Sequence, residues 1–519
     1  MRTFVRRRRL RVASATLALT LLAAACGSGA GANSAGRKQT IVLSGSLNTL
    51  DPLLATQIQN DTPANLMYDA LVDYDANSRM IPSLAESWAV APDIRSLHFT
   101  LRSGATFHDG TPVTAADVVY TLDRMKALGV GVASLLSSYA SSTAVDSRTI
   151  EIKLSQPDST FLGGLSRLYV LNAKLVKQHA GADNAQAWLA THEAGSGAYQ
   201  LTSFDPEKSV QTSRYAKYFN FNAGRPEHFV LSNTENSASV RDLLMSGDLD
   251  VGVTMSQADV APFKNNKDYH ASQLPFVTQS YLVFNTQAPV LSDRRVRQAI
   301  ALSYDYQGAL ASVLDGNGTV ASGVLPSSLP CHATFPKPAQ DKAEAKRLLA
   351  EAGASGRTFN LVYPSGLAEL KAQATLLQSN LRDVGLTVNI QAVTFAAYLG
   401  MLSKPKTTPD LALVWDAPLV PDPGQMLYGK FDSKFAGTGA NYSQYRDPQV
   451  DQLLSRALAD SDESSRCRLY QQAETVIRND YAVAPLLNGS NLVVTRADIS
   501  GVTFSPIHPS VNPLYLRVG

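Results

Sequence analysis

The sequence predicts a mixed α/β protein built as at least two lobes, and three observations lead there. The chain has 519 residues, more than one hydrophobic core commonly serves. Hydrophobic residues make up 45% and charged residues 17%, below the usual ~25% for charge, so core material is ample. Alternating apolar and polar runs mark half-buried strands in the first half, whereas the second half sets strands and amphipathic helices in turn.

Residues 1–11 carry six arginines (Arg2, Arg6, Arg7, Arg8, Arg9, Arg11) and no acid, and an uninterrupted apolar and small-residue run follows from Val12 to Ala25. Such a run is too short for a membrane-spanning helix, which needs about 20 residues, so it reads as an export signal. It ends Leu22-Ala23-Ala24-Ala25-Cys26-Gly27. This resembles a bacterial lipobox, with the leucine one step early, and marks Cys26 for lipidation and membrane anchoring. Arg7-Arg8-Arg9-Leu10-Arg11 leaves a twin-arginine export route open. Residues 26–39 follow as a Gly/Ser/Ala-rich flexible tether. Removing the six signal arginines takes the formal charge from +2 to −4, which gives no electrostatic case for nucleic acid.

In the mature chain, residues 40–44 (TIVLS) read as a strand, and residues 97–101 (LHFTL) and Ile150, Ile152 and Leu154 as half-buried strands. Thr114 with Asp117 three residues on forms a capping box. Residues 281–285 read as a short apolar strand and residues 293–300 as helical. Asp341, Glu344 and Gly353 bound a helix over residues 341–351. Residues 359–363, 376–384 and 386–390 then run strand, helix, strand, which favours a partly parallel sheet. Asp447-Pro448 starts a last amphipathic helix through Val450, Leu453, Leu454, Ala457 and Leu458. Cys331 and Cys467 are a possible disulfide in an oxidising exterior, or two separately buried thiols.

Several stretches taken together resemble the extracellular solute-binding proteins of the dipeptide/oligopeptide/nickel class that serve ABC importers. They are Leu50-Asp51-Pro52, residues 82–88 (PSLAESW), 107–119 (FHDGTPVTAADVV), 195–199 (GSGAY), 296–299 (VRQA), 345–353 (AKRLLAEAG), 447–454 (DPQVDQLL) and 470–473 (YQQA). The likeness spans essentially the whole mature chain in order. It implies a bilobal clamshell: lobe I over residues 40–277, with an inserted subdomain at about 80–193, lobe II over 278–490, and a C-terminal return to lobe I over 491–519. It also implies a monomer that closes around a small-molecule or peptide ligand and delivers it to ABC permease subunits.

By the same resemblance one cleft wall is a strand edge bearing a Trp, here Val414, Trp415 and Asp416, to which a peptide adds as a strand. The opposite wall matches Thr56, Gln57 and Ile58. Peptide binders of the class carry an Asp three residues after the Trp to hold the ligand's α-ammonium; this chain has Pro418 there. Either Asp416 or Asp422 substitutes, or the solute lacks a free amino terminus. A nickel chelate, an oligosaccharide or another small solute on the same scaffold, or a sensor without transport, remain alternatives.

Catalysis is not expected. The chain has no Gly-x-Ser-x-Gly elbow, His-Glu-x-x-His or Cys-x-x-Cys, and His192-Glu193 is followed by Ala-Gly-Ser, without a second ligand. Its eight histidines are scattered, and neither cofactor nor resident metal is expected. His108 and Asp109 read as turn and cap residues.

Overall fold

A computed structural model describes residues 39–45, 49–55, 58–234, 236–507 and 511–519, with backbone alone for 58–60 and 276. The signal segment, Cys26 and the tether up to residue 38 lie outside the described residues.

The strands that matter for the site are, in chain order, β1 (Thr40–Gly45), then β2 (Ala85–Val90), β3 (Ser96–Leu101), β4 (Tyr139–Ala144) and β5 (Thr149–Leu154). They continue with β6 (Tyr199–Asp205), β7 (Ser209–Arg214), β8 (His228–Asn233), β9 (Val251–Gly252), β10 (Tyr269–Phe284) and β11 (Gly318–Val320). The last are β12 (Thr358–Pro364), β13 (Thr387–Val393), β14 (Leu411–Asp416) and β15 (Val483–Arg496). Among the described residues eleven of these form one sheet, in the order β13-β12-β14-β10-β15-β9-β1-β8-β7-β6 with β11 against β15. β2 to β5 form a separate antiparallel sheet ordered β2-β3-β5-β4.

Two groups of cores divide the molecule. Side chains between residues 41 and 263, joined by a C-terminal set from Leu492 to Leu516, pack the first lobe. Side chains between Tyr281 and Leu487 pack the second. β10 and β15 run antiparallel through both lobes and carry the chain across and back. Their register shifts between Pro275 and Gln279 and again before Tyr281, where proline removes a ladder donor. The expected short strand at 281–285 is thus the end of a 16-residue strand. Its first half is polar and alternating, which hid its continuation from a reading based on apolar runs. The molecule is a bilobal α/β clamshell.

Eight helices bear on the argument: α1 (Ile58–Met67), α2 (Ala115–Leu128), α3 (Lys342–Glu351), α4 (Ala368–Asp383), α5 (Phe395–Leu402), α6 (Pro423–Phe431), α7 (Pro448–Leu458) and α8 (Glu463–Asn479). The capping box forms at α2, where Asp117 Oδ2 accepts Thr114 N at 2.9 Å. Asp341 caps α3 by accepting Glu344 N at 2.9 Å, and Asp447 caps α7 from Val450 N at 2.9 Å.

Cys331 and Cys467 are disulfide-bonded, with Cα atoms 4.9 Å apart. The bridge fastens the segment around Cys331 to α8. Seven residues further along the same helix, buried Glu474 accepts Leu325 N at 2.9 Å and Ala333 N at 2.7 Å. The double Cys331→Ser/Cys467→Ser variant is expected to lose about 2–4 kcal/mol of lobe II stability, since the bridge closes a sequence separation of 136. Denaturant unfolding with and without reductant measures this: reductant should shift the wild-type midpoint and leave the variant's unchanged.

Candidate functional site

The cleft wall of lobe II is built by β14. Alternation along it sends Leu411 and Leu413 into one lobe II core, with Trp415 packed against that core, and Ala412 and Val414 into the other. On one side β14 pairs fully with β10, from Gln279–Asp416 to Phe284–Leu411. On the other its parallel ladder with β12 covers only Leu361–Leu411 and Val362–Ala412. Beyond Ala412 the two strands diverge, and residues 413–416 present an edge with no strand beside it among the described residues. Because β12, β13 and β14 are parallel, their C-terminal ends lie on one crest, the place where open α/β sheets receive ligands. Leu367, after the left-handed turn at Gly366 (φ +92°), and Phe395 follow β12 and β13 there. They remain 43% and 55% exposed, an apolar rim to the same crest.

Trp415 is half-buried and lies opposite Ser280 in the ladder. Ser280 Oγ donates to Gln373 Oε1 of α4 at 3.1 Å, which fixes the floor beneath the ring. Asp416 already has partners. Its Oδ2 lies 2.6 Å from Lys430 Nζ, and its Oδ1 accepts Ala417 N at 3.0 Å. Lys430 sits in the last turn of α6, where the helix dipole favours a cation, and its Nζ stands 4.1 Å over the Tyr442 ring. Burial works to lower the Lys430 pKa, but the Asp416 carboxylate and the Tyr442 hydroxyl together outweigh it and hold the pKa above its ordinary value. The pair closes one end of a void of about 30 Å³ lined by Tyr281, Val283, Val324, Val414 and Met426.

Asp422 serves as the N-cap of α6, accepting Gly424 N at 2.7 Å. Burial pushes its carboxyl up to about 6; the Gly424 N–H and Arg466 pull the other way, while Asp158 and Glu463 add to the rise. The folded state therefore holds this proton more tightly than the unfolded chain does. The resulting stabilisation is complete below the ordinary carboxyl range and is lost as pH rises through about 6. Buried Asp69, also raised to about 6, acts in the same direction. Asp422→Asn is expected to remove up to about 3 kcal/mol of the fall in stability between about pH 4 and pH 6, leaving the Asp69 share. Chemical unfolding across that range checks it; an unchanged slope would contradict the assignment.

The lobes touch through this region. Val420, 1% exposed, leaves lobe II and packs into the lobe I core formed around β2 to β5. Ser159 of lobe I donates its N–H to Leu458 O at 2.9 Å and its hydroxyl to Ala457 O at 3.2 Å, at the end of α7.

On the lobe I wall, Thr56 and Gln57 lie outside the described residues, and Ile58 opens α1 with its side chain outside them as well. The supports on either side are ionic and buried. Arg124 Nη2 reaches Asp51 Oδ2 at 2.6 Å, just before the 56–57 segment. Arg167 Nη1 meets Asp61 Oδ1 of α1 at 2.5 Å and Ile507 O at 2.9 Å, while its Nη2 donates to Ala55 O. Lys430, Tyr442, Val420 and Arg167 escape a reading of the sequence. Only Lys430 has a local signal, the Asp422-Pro423 helix start that places it in the last turn of α6.

The profile described as bacterial extracellular solute-binding proteins, family 5 Middle, matches residues 79–438. The chain belongs to this family. It is 28% identical over 470 residues to the probable D,D-dipeptide-binding periplasmic protein DdpA of Escherichia coli (strain K12), covering 88% of this chain and 90% of that relative. It is 24% identical over 498 residues to the dipeptide-binding protein of the same organism, covering 89% and 91%. The ABC transporter-associated periplasmic binding protein DppA of Helicobacter pylori, solved with the peptide STSA, superposes with a TM-score of 0.79 at 21% identity over 92% of this chain and 98% of that one. NikZ of Campylobacter jejuni, solved with Ni(L-His), superposes at 0.78 with 20% identity over 92% and 99%. This family 5 protein is a substrate-binding protein of an ABC importer and acts outside the cytoplasm; its family binds solutes rather than transforming them. No helix among the described residues is long and apolar enough to cross a membrane.

Proposed function

We propose that this family 5 protein captures a small peptide by lobe closure and hands it to a membrane permease while tethered to the outer face of the cell membrane through a lipid on Cys26. The observation that carries the peptide reading is the edge of β14 at residues 413–416, which has no strand on its β12 side among the described residues and includes half-buried Trp415. A main-chain edge of this kind recognises any extended peptide by adding it as a strand, whatever its side chains. Peptide binding by the named relatives points the same way.

In this reading lobe I comprises residues 40–277 and 491–519 and lobe II residues 278–490. Val414, Trp415 and Asp416 form one wall, with Asp422 behind it, and Thr56, Gln57 and Ile58 the other. The test is mass spectrometry of whatever purified protein releases on denaturation, followed by calorimetry with the recovered compound. Recovery of peptides supports the reading; recovery of a sugar or a metal chelate alone ends it. Detergent phase partitioning of wild type and Cys26→Ser tests the anchor, and uptake in a strain lacking the adjoining permease genes tests delivery.

A further inference from the structure

The end of the open β14 edge carries a charge arrangement that peptide capture by itself does not require. A peptide laid along residues 413–416 brings one of its ends toward Asp416. That carboxylate is committed on both oxygens, one to Lys430 Nζ at 2.6 Å and the other to Ala417 N at 3.0 Å. Side chains of the pair are only 20% and 23% exposed, so neither charge is dispersed into water. Lys430 is held on a second side by the Tyr442 ring, which Tyr398 in turn meets edge-on at 6.2 Å. The next carboxylate along the chain, Asp422, is turned into the start of α6 and caps it. Pro418, between them, offers neither charge nor N–H.

A free α-ammonium arriving at Asp416 would therefore meet a neutralised carboxylate with another ammonium behind it. Like charges brought together in a desolvated cleft are strongly unfavourable. An acylated amino terminus has no such conflict, and its carbonyl can accept a hydrogen bond from the ammonium already present.

We propose that Lys430 is a specificity-determining residue of the cleft: by neutralising Asp416 beside Trp415 it makes the protein select peptides whose amino terminus is blocked, such as N-acyl peptides, over peptides with a free amino terminus. This inference rests on the peptide reading above.

Calorimetry with matched tripeptide sets, free-amino and N-acetylated, tests it on the wild-type protein and on Lys430→Met. Wild type is expected to prefer the acetylated set by at least about tenfold. Lys430→Met uncovers Asp416 and should raise affinity for the free-amino set by at least about tenfold, reversing the order. The double variant Asp416→Asn/Lys430→Met removes both charges without stranding either, and with them the ammonium that donates to an acyl carbonyl. It should still bind the acetylated set measurably, though more weakly than wild type for want of that hydrogen bond, and show no gain for the free-amino set; retained binding with no gain separates the charge effect from a folding defect.

Equal binding of the two sets by wild type, or preference for the free-amino set, overturns the inference while leaving peptide capture intact. Should neither set bind any of the three proteins while purified protein releases a non-peptide solute, the peptide reading fails and this inference falls with it.

Discussion

Replacing Val420 by aspartate is expected to weaken cargo binding by about 100-fold or more while leaving the unfolding midpoint of each lobe nearly unchanged. Val420 belongs to lobe II by chain position, yet it is 1% exposed because it packs among lobe I residues such as Leu136, Phe161 and Leu165. Whatever separates the lobes brings it back to water, so a charge there is penalised only when they meet. Burying an unpaired carboxylate costs several kcal/mol, and a penalty confined to the binding-competent form appears directly as lost affinity. Calorimetry with the recovered cargo reads the affinity, and small-angle scattering should show the variant staying open at cargo concentrations that compact the wild type. Unchanged affinity would mean that the Val420 contact plays no part in the bound form.

Arg167→Met should produce the largest loss of stability, about 3–5 kcal/mol. Arg167 and Asp61 are each 1% exposed, and the guanidinium also serves the carbonyls of Ala55 and Ile507. Methionine conserves much of the volume but leaves the Asp61 carboxylate without its cation inside lobe I. Guanidinium unfolding measures the loss. The double variant Asp61→Asn/Arg167→Met should recover part of it, because neutralising both partners removes the stranded charge. A double variant no more stable than the single one would place the cost in the two carbonyls instead.

Much of the scaffold can be read from the sequence because local rules write it. Asp117, Asp341 and Asp447 announce helix starts, and each caps its helix in three dimensions. The strand–helix–strand order around α4 foretells the parallel pair β12 and β13. The site is less legible because its partners are distant. Asp416 faces Lys430 across a turn and most of a helix, and Arg167 meets carbonyls 112 and 340 residues away. Nothing local in residues 161–170 marks that arginine as a clamp. The pairing of Cys331 with Cys467 was equally open, since spacing carries no information about Cα separation. The first half of β10 is hidden for the same reason: its polar residues are held in the sheet by pairing with residues 490–496, far along the chain, and not by burial.

The double crossing of the chain has a consequence for how the protein is made. β15 lies between β10 and β9, pairing Val251 with Thr495 and Gly252 with Val494, so the sheet of lobe I acquires the strand that joins β10 to β9 from residues near the C-terminus. During synthesis and export the first half of the polypeptide emerges with a gap in that sheet, and the gap is filled only when the final stretch arrives. Until then β9 has no partner on its β10 side, so the lobe I sheet is completed only once the whole chain is available.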